Sequence, residues 1–132
     1  MLHLTKVAVG CPDLDTLVRL QAERWGDAPC SLTRFMPKRA EELIGGSLFW
    51  IIKHRLVARQ PIVSLAMVMT EWGEKCRIGY GGPPVPVAPV PRRAHQGWRY
   101  LEDADAPPDE AAATGDALPV GMVRELQGLW LM

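Results

Sequence analysis

The sequence has few cysteines and no excess of charge of either sign. Its three cysteines, Cys11, Cys30 and Cys76, are odd in number and widely spaced, and no Cys-x-x-Cys pair occurs. This pattern argues against a disulfide framework or a zinc knuckle and favours reduced thiols in a cytoplasm. Because 15 basic side chains balance 15 acidic ones, the chain as a whole attracts neither nucleic acid nor a membrane. Any such attraction must come from a local patch.

Long apolar runs are also missing. No uninterrupted run exceeds that of residues 48–52, which suits a strand, whereas a membrane-spanning helix needs about 18 or more apolar residues. The N-terminus, MLHLTKVAVGCPD, has no basic stretch followed by a long apolar segment, so a signal peptide is not predicted. We therefore expect a cytoplasmic protein without a membrane partner.

The common catalytic and cofactor motifs are absent from the sequence. It contains no phosphate-binding Gly-x-x-x-x-Gly-Lys-Ser/Thr loop and no Gly-x-Ser-x-Gly turn. The GYGG beginning at Gly79 lacks the third glycine of a dinucleotide fingerprint. His3, His54 and His95 are far apart and form no pair with metal-ligand spacing. No catalytic residue, metal or cofactor is therefore predicted.

The chain has the length of one domain, residues 1–132, and a hydrophobic content of 48%, which is ordinary for a globular protein. An alternating strand is predicted over residues 2–9. The clearest helix signal follows in CPDLDTLVRLQAERWG, where apolar residues recur at helical spacing until Gly26. A short strand over residues 31–36 and a short helix over residues 38–44 come next.

Strands dominate the middle of the chain. Residues 47–54 alternate little, which indicates burial on both faces or a place in a closed barrel. Residues 59–70 and 76–82 are predicted strands, so the tract KHRLVARQ at 53–60 is interpreted as the hairpin between the first two. Residues 98–101 form a closing strand. We predict an α+β fold in which a small, mostly antiparallel β-barrel is flanked by helices.

Three segments of the second half differ in composition. PPVPVAPVP, residues 83–91, is predicted to be an extended polyproline strap lying on the barrel. The acidic tract at residues 102–118 is predicted to be a loop with solvated carboxylates. LPVGMVRELQGLWLM, residues 118–132, has the periodicity of an amphipathic helix.

Basic side chains lie near aromatic ones in three places. Lys38 and Arg39 begin the short helix. The other two clusters, in the hairpin tract and around Trp98, supply the predicted nucleic-acid contacts: Lys53, Arg55, Arg59, Arg92, Arg93, His95, Trp98, Arg99 and Tyr100. Guanidinium groups bind phosphate and aromatic faces stack on bases, so these clusters form a recognition surface if they converge. The simpler alternative is that the cations are solvated strand ends and that Trp98 belongs to the core.

The stretch PKRAEELIGGSLFWIIKHRLVARQPIVSL, followed by PRRAHQGWRYLEDADAPPD, resembles an uncharacterised family common in alphaproteobacteria, domain of unknown function 1489. The likeness covers nearly the whole chain, and its most specific pieces are WIIK with ARQ and RRAxQGWRYL. Because the family carries no established activity, the resemblance transfers no catalytic residue.

A second resemblance, in the order of elements, is to the PUA-like barrels that include the ASCH and EVE modules. In those modules a helix precedes a Gly-led aromatic strand and an apolar strand, as residues 38–44, 46–50 and 61–65 do here. Ser47 and Ser64 depart from the acidic residue and the glycine often found there. The resemblance implies a small closed β-barrel with a cleft for RNA or a modified base, although a fold does not give function by itself.

The leading hypothesis is a PUA-like module that binds RNA or a nucleotide, with arginines on phosphate and Trp98 or Tyr100 on a base. A second hypothesis is a protein-interaction subunit that uses the proline strap, the acidic loop and Trp72. A third is a small hydrolase acting on nucleic-acid pieces, for which no nucleophile or base stands out.

Overall fold

A computed structural model describes residues 2–110. The elements along the chain are β1 (Leu2–Val7), α1 (Leu14–Trp25), β2 (Cys30–Thr33), α2 (Ala40–Leu43), β3 (Ser47–Ile52), β4 (Arg55–Thr70), β5 (Gly73–Tyr80), β6 (Val85–Pro91) and β7 (Trp98–Glu102), followed by a 3-10 turn at Asp103–Asp105. The predicted terminal helix at 118–132 lies outside the described residues.

The seven strands form one mixed sheet in the order β2-β5-β4-β3-β1-β7, with β6 paired to β4 outside this path. Strands β1 and β3 run parallel, and the other pairs are antiparallel. The prediction of a small α+β fold is confirmed. The closed barrel is wrong, because β2 and β7, at the two ends of the order within residues 2–110, do not pair with each other.

Strand β4 organises the sheet. Its 16 residues are long enough to pair with β3 on one edge and with β6 and then β5 on the other. The register of β4 shifts near Val57, where it faces β6, and near Val63, where it faces β5.

The core lies on both faces of the central strands. One face carries the larger cluster, which includes Leu4, Leu48, Trp50, Ile62 and Ile78 and is covered by Leu17 of α1. The other face carries the smaller cluster of Phe49, Ile51, Leu56, Val87 and Leu101. All six residues of β3 are therefore buried, as the lack of alternation predicted.

Helix α1 begins at a polar cap. The Asp13 carboxylate accepts a hydrogen bond of 2.8 Å from the Thr16 amide, and Gly26 ends the helix with a φ of 59°. The buried face differs from the apolar stripe of the sequence, since Leu17 and Gln21 are buried whereas Val18 is exposed. Gln21 is buried because its side-chain amide pairs with that of Gln60 in the core.

The turn between β3 and β4 is shorter than predicted. Only Lys53 and His54 form it, with φ values of 52° and 61°, as in a tight two-residue hairpin. The interpretation of the whole tract KHRLVARQ as the connecting hairpin is wrong in its extent, because its residues from Arg55 onward belong to β4 and Leu56 with the two residues after it are buried.

The proline-rich segment is a strand of the sheet. Its residues pair with β4 in the register Arg55↔Pro91 and Arg59↔Val85, and Val87 is buried. On the opposite edge the Ala88 amide donates 2.9 Å to the Pro108 carbonyl. The prediction of a strap lying on a barrel is therefore wrong, because this segment is a strand with hydrogen bonds on both edges.

The described part of the acidic tract, residues 102–110, is held against the sheet. Asp103 lies 2.8 Å from His3, and Asp109 forms an ion pair with Arg59. The prediction of solvated carboxylates is therefore wrong for Asp109, which is partly buried in its ion pair, whereas the Asp103 carboxylate is exposed as predicted. Residues 111–118 of the tract lie outside the described part of the chain.

Candidate nucleic-acid interface

The two predicted basic clusters meet at one edge of the molecule. The Arg92 amide donates a hydrogen bond of 2.9 Å to the His54 carbonyl, and Arg55 is paired in register with Pro91. Strand β6 thus delivers Arg92 and the following segment directly beside the β3–β4 turn.

Residues 92–97 then cross beside β1, where His95 is anchored. Its Nε2 atom lies 2.8 Å from the Thr5 hydroxyl and its Nδ1 atom 3.3 Å from the Gln96 carbonyl oxygen. Burial lowers the pKa of His95, and the positive charges of Arg99, Arg92 and Lys6 lower it further. The imidazole is therefore largely neutral at neutral pH, and three cations surround it.

Among the described residues, the cations at this edge have no acidic partner in an ion pair. Within residues 2–110, ion pairs join Arg19 to Glu23, Arg39 to Glu42 and Arg59 to Asp109. None of the ion pairs in that part of the chain involves the edge cations Lys6, Lys53, Arg55, Arg92, Arg93 and Arg99. The edge is therefore positively charged although the whole chain is neutral.

The Asp13 carboxylate interacts electrostatically with Lys53 of this edge. Hydrogen bonds to Thr16 lower the pKa of Asp13, and the positive charge of Lys53 lowers it further. Asp13 serves as the cap of α1, so its carboxylate already has a partner.

Arg59 does not join the basic edge. Its guanidinium binds the Asp109 carboxylate through two hydrogen bonds of 2.5 and 2.9 Å and also donates to the Ser47 hydroxyl at 3.0 Å. This bond to Arg59 is the main reason that the pKa of Asp109 lies below its usual value. Arg59 is thus a structural residue that binds the acidic tract to the sheet.

The aromatic residues of β7 face away from Arg99. Successive side chains of a strand alternate, so Trp98 and Tyr100 point to one face and Arg99 to the other. The Trp98 indole N–H donates to the Phe35 carbonyl at 3.3 Å, and its ring meets Tyr100 edge to face at 5.0 Å. The Tyr100 hydroxyl accepts a hydrogen bond of 3.1 Å from the Arg39 amide and so binds the segment before α2.

Lys6 is a member of this edge that the sequence analysis missed. It is the charged residue of β1, and the two-residue period places it on the same face as Leu4 and opposite Trp98 in the register of β7. Burial lowers the pKa of its amine, and no residue of the described chain forms a hydrogen bond or ion pair with it. The two-residue alternation of β1 is the sequence signal that could have identified Lys6.

Hydrolytic chemistry receives no support from the described residues. His3, the best oriented histidine, accepts from the Ser47 amide at 2.9 Å through Nδ1 and contacts Asp103 through Nε2. Both ring nitrogens are therefore occupied, and the Ser47 hydroxyl accepts its hydrogen bond from the Arg59 guanidinium. Among residues 2–110 no group of three histidine, cysteine or acidic side chains is placed to hold a metal ion.

Comparison with protein families gives one match. A family described as a protein of unknown function, DUF1489, matches residues 4–132. The chain belongs to the DUF1489 family. Neither curated proteins nor solved structures gave a significant match to this DUF1489 member. The family resemblance seen in the sequence is thus confirmed, whereas a relation to the PUA-like barrels stays a prediction.

No helix in the described part of this DUF1489 chain has the length and apolar character needed to cross a membrane.

Proposed function

We propose that this DUF1489 member binds single-stranded RNA, or a nucleotide, through the basic edge formed by Lys53, Arg55, Arg92, Arg93 and Arg99 with Lys6 and His95. The observation that carries the proposal is the convergence of two clusters, 37 or more residues apart in sequence, through the hydrogen bond between Arg92 and His54. The resemblance to PUA-like modules, which remains a proposal, supports the same class of ligand.

Local charge favours phosphate as the group bound. Cations without carboxylate partners are free to contact phosphate oxygens, and their contacts release counterions from the nucleic acid. His95 has both ring nitrogens engaged, by the Thr5 hydroxyl and the Gln96 carbonyl, so its role is to hold the segment that carries Arg92, Arg93 and Arg99 against β1.

Fluorescence anisotropy with a labelled single-stranded RNA at low salt tests the proposal. We expect the wild-type protein to bind and Arg92→Ala/Arg93→Ala to bind roughly tenfold or more weakly, since two phosphate contacts are lost. The matched control is Lys75→Ala/Arg77→Ala, which removes the same charge from β5, three strands away from β1 in the sheet order. Absence of wild-type binding, or equal loss in the control, contradicts the proposal.

A second candidate function, protein interaction, is favoured by the far end of the β4–β5 hairpin. There Met69 and Trp72 are 76% and 64% exposed. The other parts of that hypothesis are weakened, because the proline-rich segment and Asp109 are already engaged within the fold. A partner that co-purifies with the wild-type protein, resists nuclease and is lost with Met69→Ser/Trp72→Ser would support this candidate.

A further inference from the structure

A cleft of about 410 Å³ opens beside the basic edge, on the face of the sheet that carries Trp98. Strand β2 and the residues after it form one side, and the segment before β7 forms the other. The side chains that give it chemical character are Lys6, Arg34, Phe35, Gln96 and Trp98. Its volume lies within the usual range for sites that hold one small molecule, about 300–1000 Å³.

The aromatic walls of the cleft are positioned without a ligand. Trp98 is fixed by its bond to the Phe35 carbonyl and by its edge contact with Tyr100. Phe35 itself is 66% exposed, with the Arg34 guanidinium 5.4 Å from its ring centre. An exposed aromatic ring next to a fixed indole is a surface for a planar ligand, because stacking needs an accessible face.

The charge at the floor of the cleft is positive. Lys6 is half-buried, and no described residue pairs with its amine. A partly desolvated ammonium group is stabilised by an anion, and Arg34 adds a second cation to the lining of the cleft. An aromatic planar group and an anion are therefore the two features that a ligand should combine.

Polar atoms that could read the edge of a planar group are also present. The Gln96 side chain carries both a donor and an acceptor, and Gly97 adopts a φ of 66°, which turns the backbone sharply into β7. An amide at the wall gives directionality that stacking alone does not.

We propose that this cleft holds one unpaired nucleotide of the RNA, with the base against Phe35 and Trp98, Gln96 at the base edge, and Lys6 on the phosphate. The inference rests on the proposed function, since the basic edge brings the strand to the cleft. The cleft would bind a single unstacked base, whereas the basic edge would bind only the phosphate backbone.

The test uses the intact protein and simple probes. Adenosine and uridine 5′-monophosphates, adenosine, and ribose 5-phosphate are titrated while ¹H–¹⁵N spectra follow the Trp98 indole N–H. We expect the monophosphates to shift this signal and saturate, adenosine to bind more weakly, and ribose 5-phosphate to leave it unchanged.

Variants separate the two parts of the cleft. Phe35→Ala should weaken monophosphate binding roughly tenfold through lost stacking. Lys6→Met should remove the preference for the monophosphate over adenosine. Trp72→Ala and Lys75→Met, which remove an exposed indole and a lysine outside the cleft, should bind like the wild type.

The outcomes distinguish the inference from the proposed function. If RNA binds and requires Arg92 and Arg93, but the monophosphates do not shift Trp98 and Phe35→Ala binds RNA normally, the cleft proposal is overturned while the basic edge stands. If ribose 5-phosphate shifts Trp98 as well as the monophosphates do, the cleft binds phosphate only, and the base site is wrong. If neither RNA nor monophosphates bind, both proposals fall.

Discussion

The side-chain amides of Gln21 and Gln60 face each other in the core and exchange two hydrogen bonds, of 2.9 and 2.6 Å. Gln60, which is fully buried, also accepts from the Trp50 indole at 2.8 Å and donates to the Gly82 carbonyl at 2.8 Å. One residue of β4 thus joins α1, β3 and the segment after β5. A network in which every polar atom is satisfied orients these elements relative to one another.

We predict that Gln60→Leu lowers the free energy of unfolding by about 3 kcal/mol, because it leaves several buried polar groups without partners. Urea denaturation measures the loss, and the exposed amide variant Gln96→Leu provides the control. A loss below about 1 kcal/mol would mean that the amide pair does not hold α1 to the sheet. In the double variant with Gln21→Leu, the cost should be less than the sum of the single costs.

The ion pair between Arg59 and Asp109 makes stability depend on pH. Because the pKa of Asp109 is lowered in the folded protein from an ordinary value of 3.8, its contribution is present above that value and is lost as the pH falls through the lowered one. Asp109→Asn should therefore be less stable than the wild type by roughly 1 kcal/mol at pH 7.

Urea midpoints at pH 7 and at a pH well below the ordinary value test this prediction. The difference between Asp109→Asn and the wild type should vanish in acid, where Asp109 is protonated in both states. Asp105→Asn, which removes an exposed carboxylate that forms no ion pair within residues 2–110, should match the wild type at both values. A difference that persists in acid would assign the effect to packing rather than to charge.

At the scale of single residues the sequence identified types of side chain better than their partners. It located the cations near Trp98, but it could not show that Arg59 would be bound by Asp109, 50 residues later. The position of Lys6 could have been predicted, because the two-residue alternation of a strand places it on the same face as Leu4. The pairing of Gln21 with Gln60 could not have been predicted, because a polar residue on a helix usually faces solvent.

At the scale of elements, strand existence followed from the apolar pattern, whereas pairing did not. The doubly buried β3 was readable from the local sequence. The prediction of a closed barrel was wrong because strand pairing is non-local. Strand β1 pairs with β3 although two helices and β2 lie between them in the chain, and hydrophobic periodicity does not encode such a pairing. The proline-rich segment was wrongly predicted to be a strap. Proline is tolerated on edge strands and at bulges, so a high proline content does not exclude a strand.

Hydrogen exchange checks the pairing of β6. The amides of Ala88 and Arg92, which donate to the Pro108 and His54 carbonyls, should be protected well above their intrinsic exchange rates. The amide of Ala94, in the segment between β6 and β7, donates to no backbone carbonyl within residues 2–110 and should exchange rapidly. Rapid exchange at Ala88 and Arg92 would instead support an unpaired strap and would separate the two basic clusters.

At the scale of the whole molecule, charge is neutral in total and uneven in distribution. Two acidic groups of the tract at residues 102–110 have structural partners: Asp103, which is exposed, contacts His3, and the partly buried Asp109 pairs with Arg59. The cations of the basic edge form no ion pair with any acidic group of residues 2–110. Composition alone could not reveal this unevenness, because it depends on which ion pairs the fold forms.

The dependence of RNA binding on salt tests the central claim most directly. For single-stranded nucleic acid the logarithm of the binding constant falls with the logarithm of the salt concentration by about 0.7 for each phosphate contact. We predict a steep slope for the wild-type protein and, for Arg92→Ala/Arg93→Ala, a slope smaller in magnitude by roughly 1.4, the value for two lost contacts. A slope that is flat, or that the substitutions leave unchanged, would contradict phosphate recognition by the basic edge.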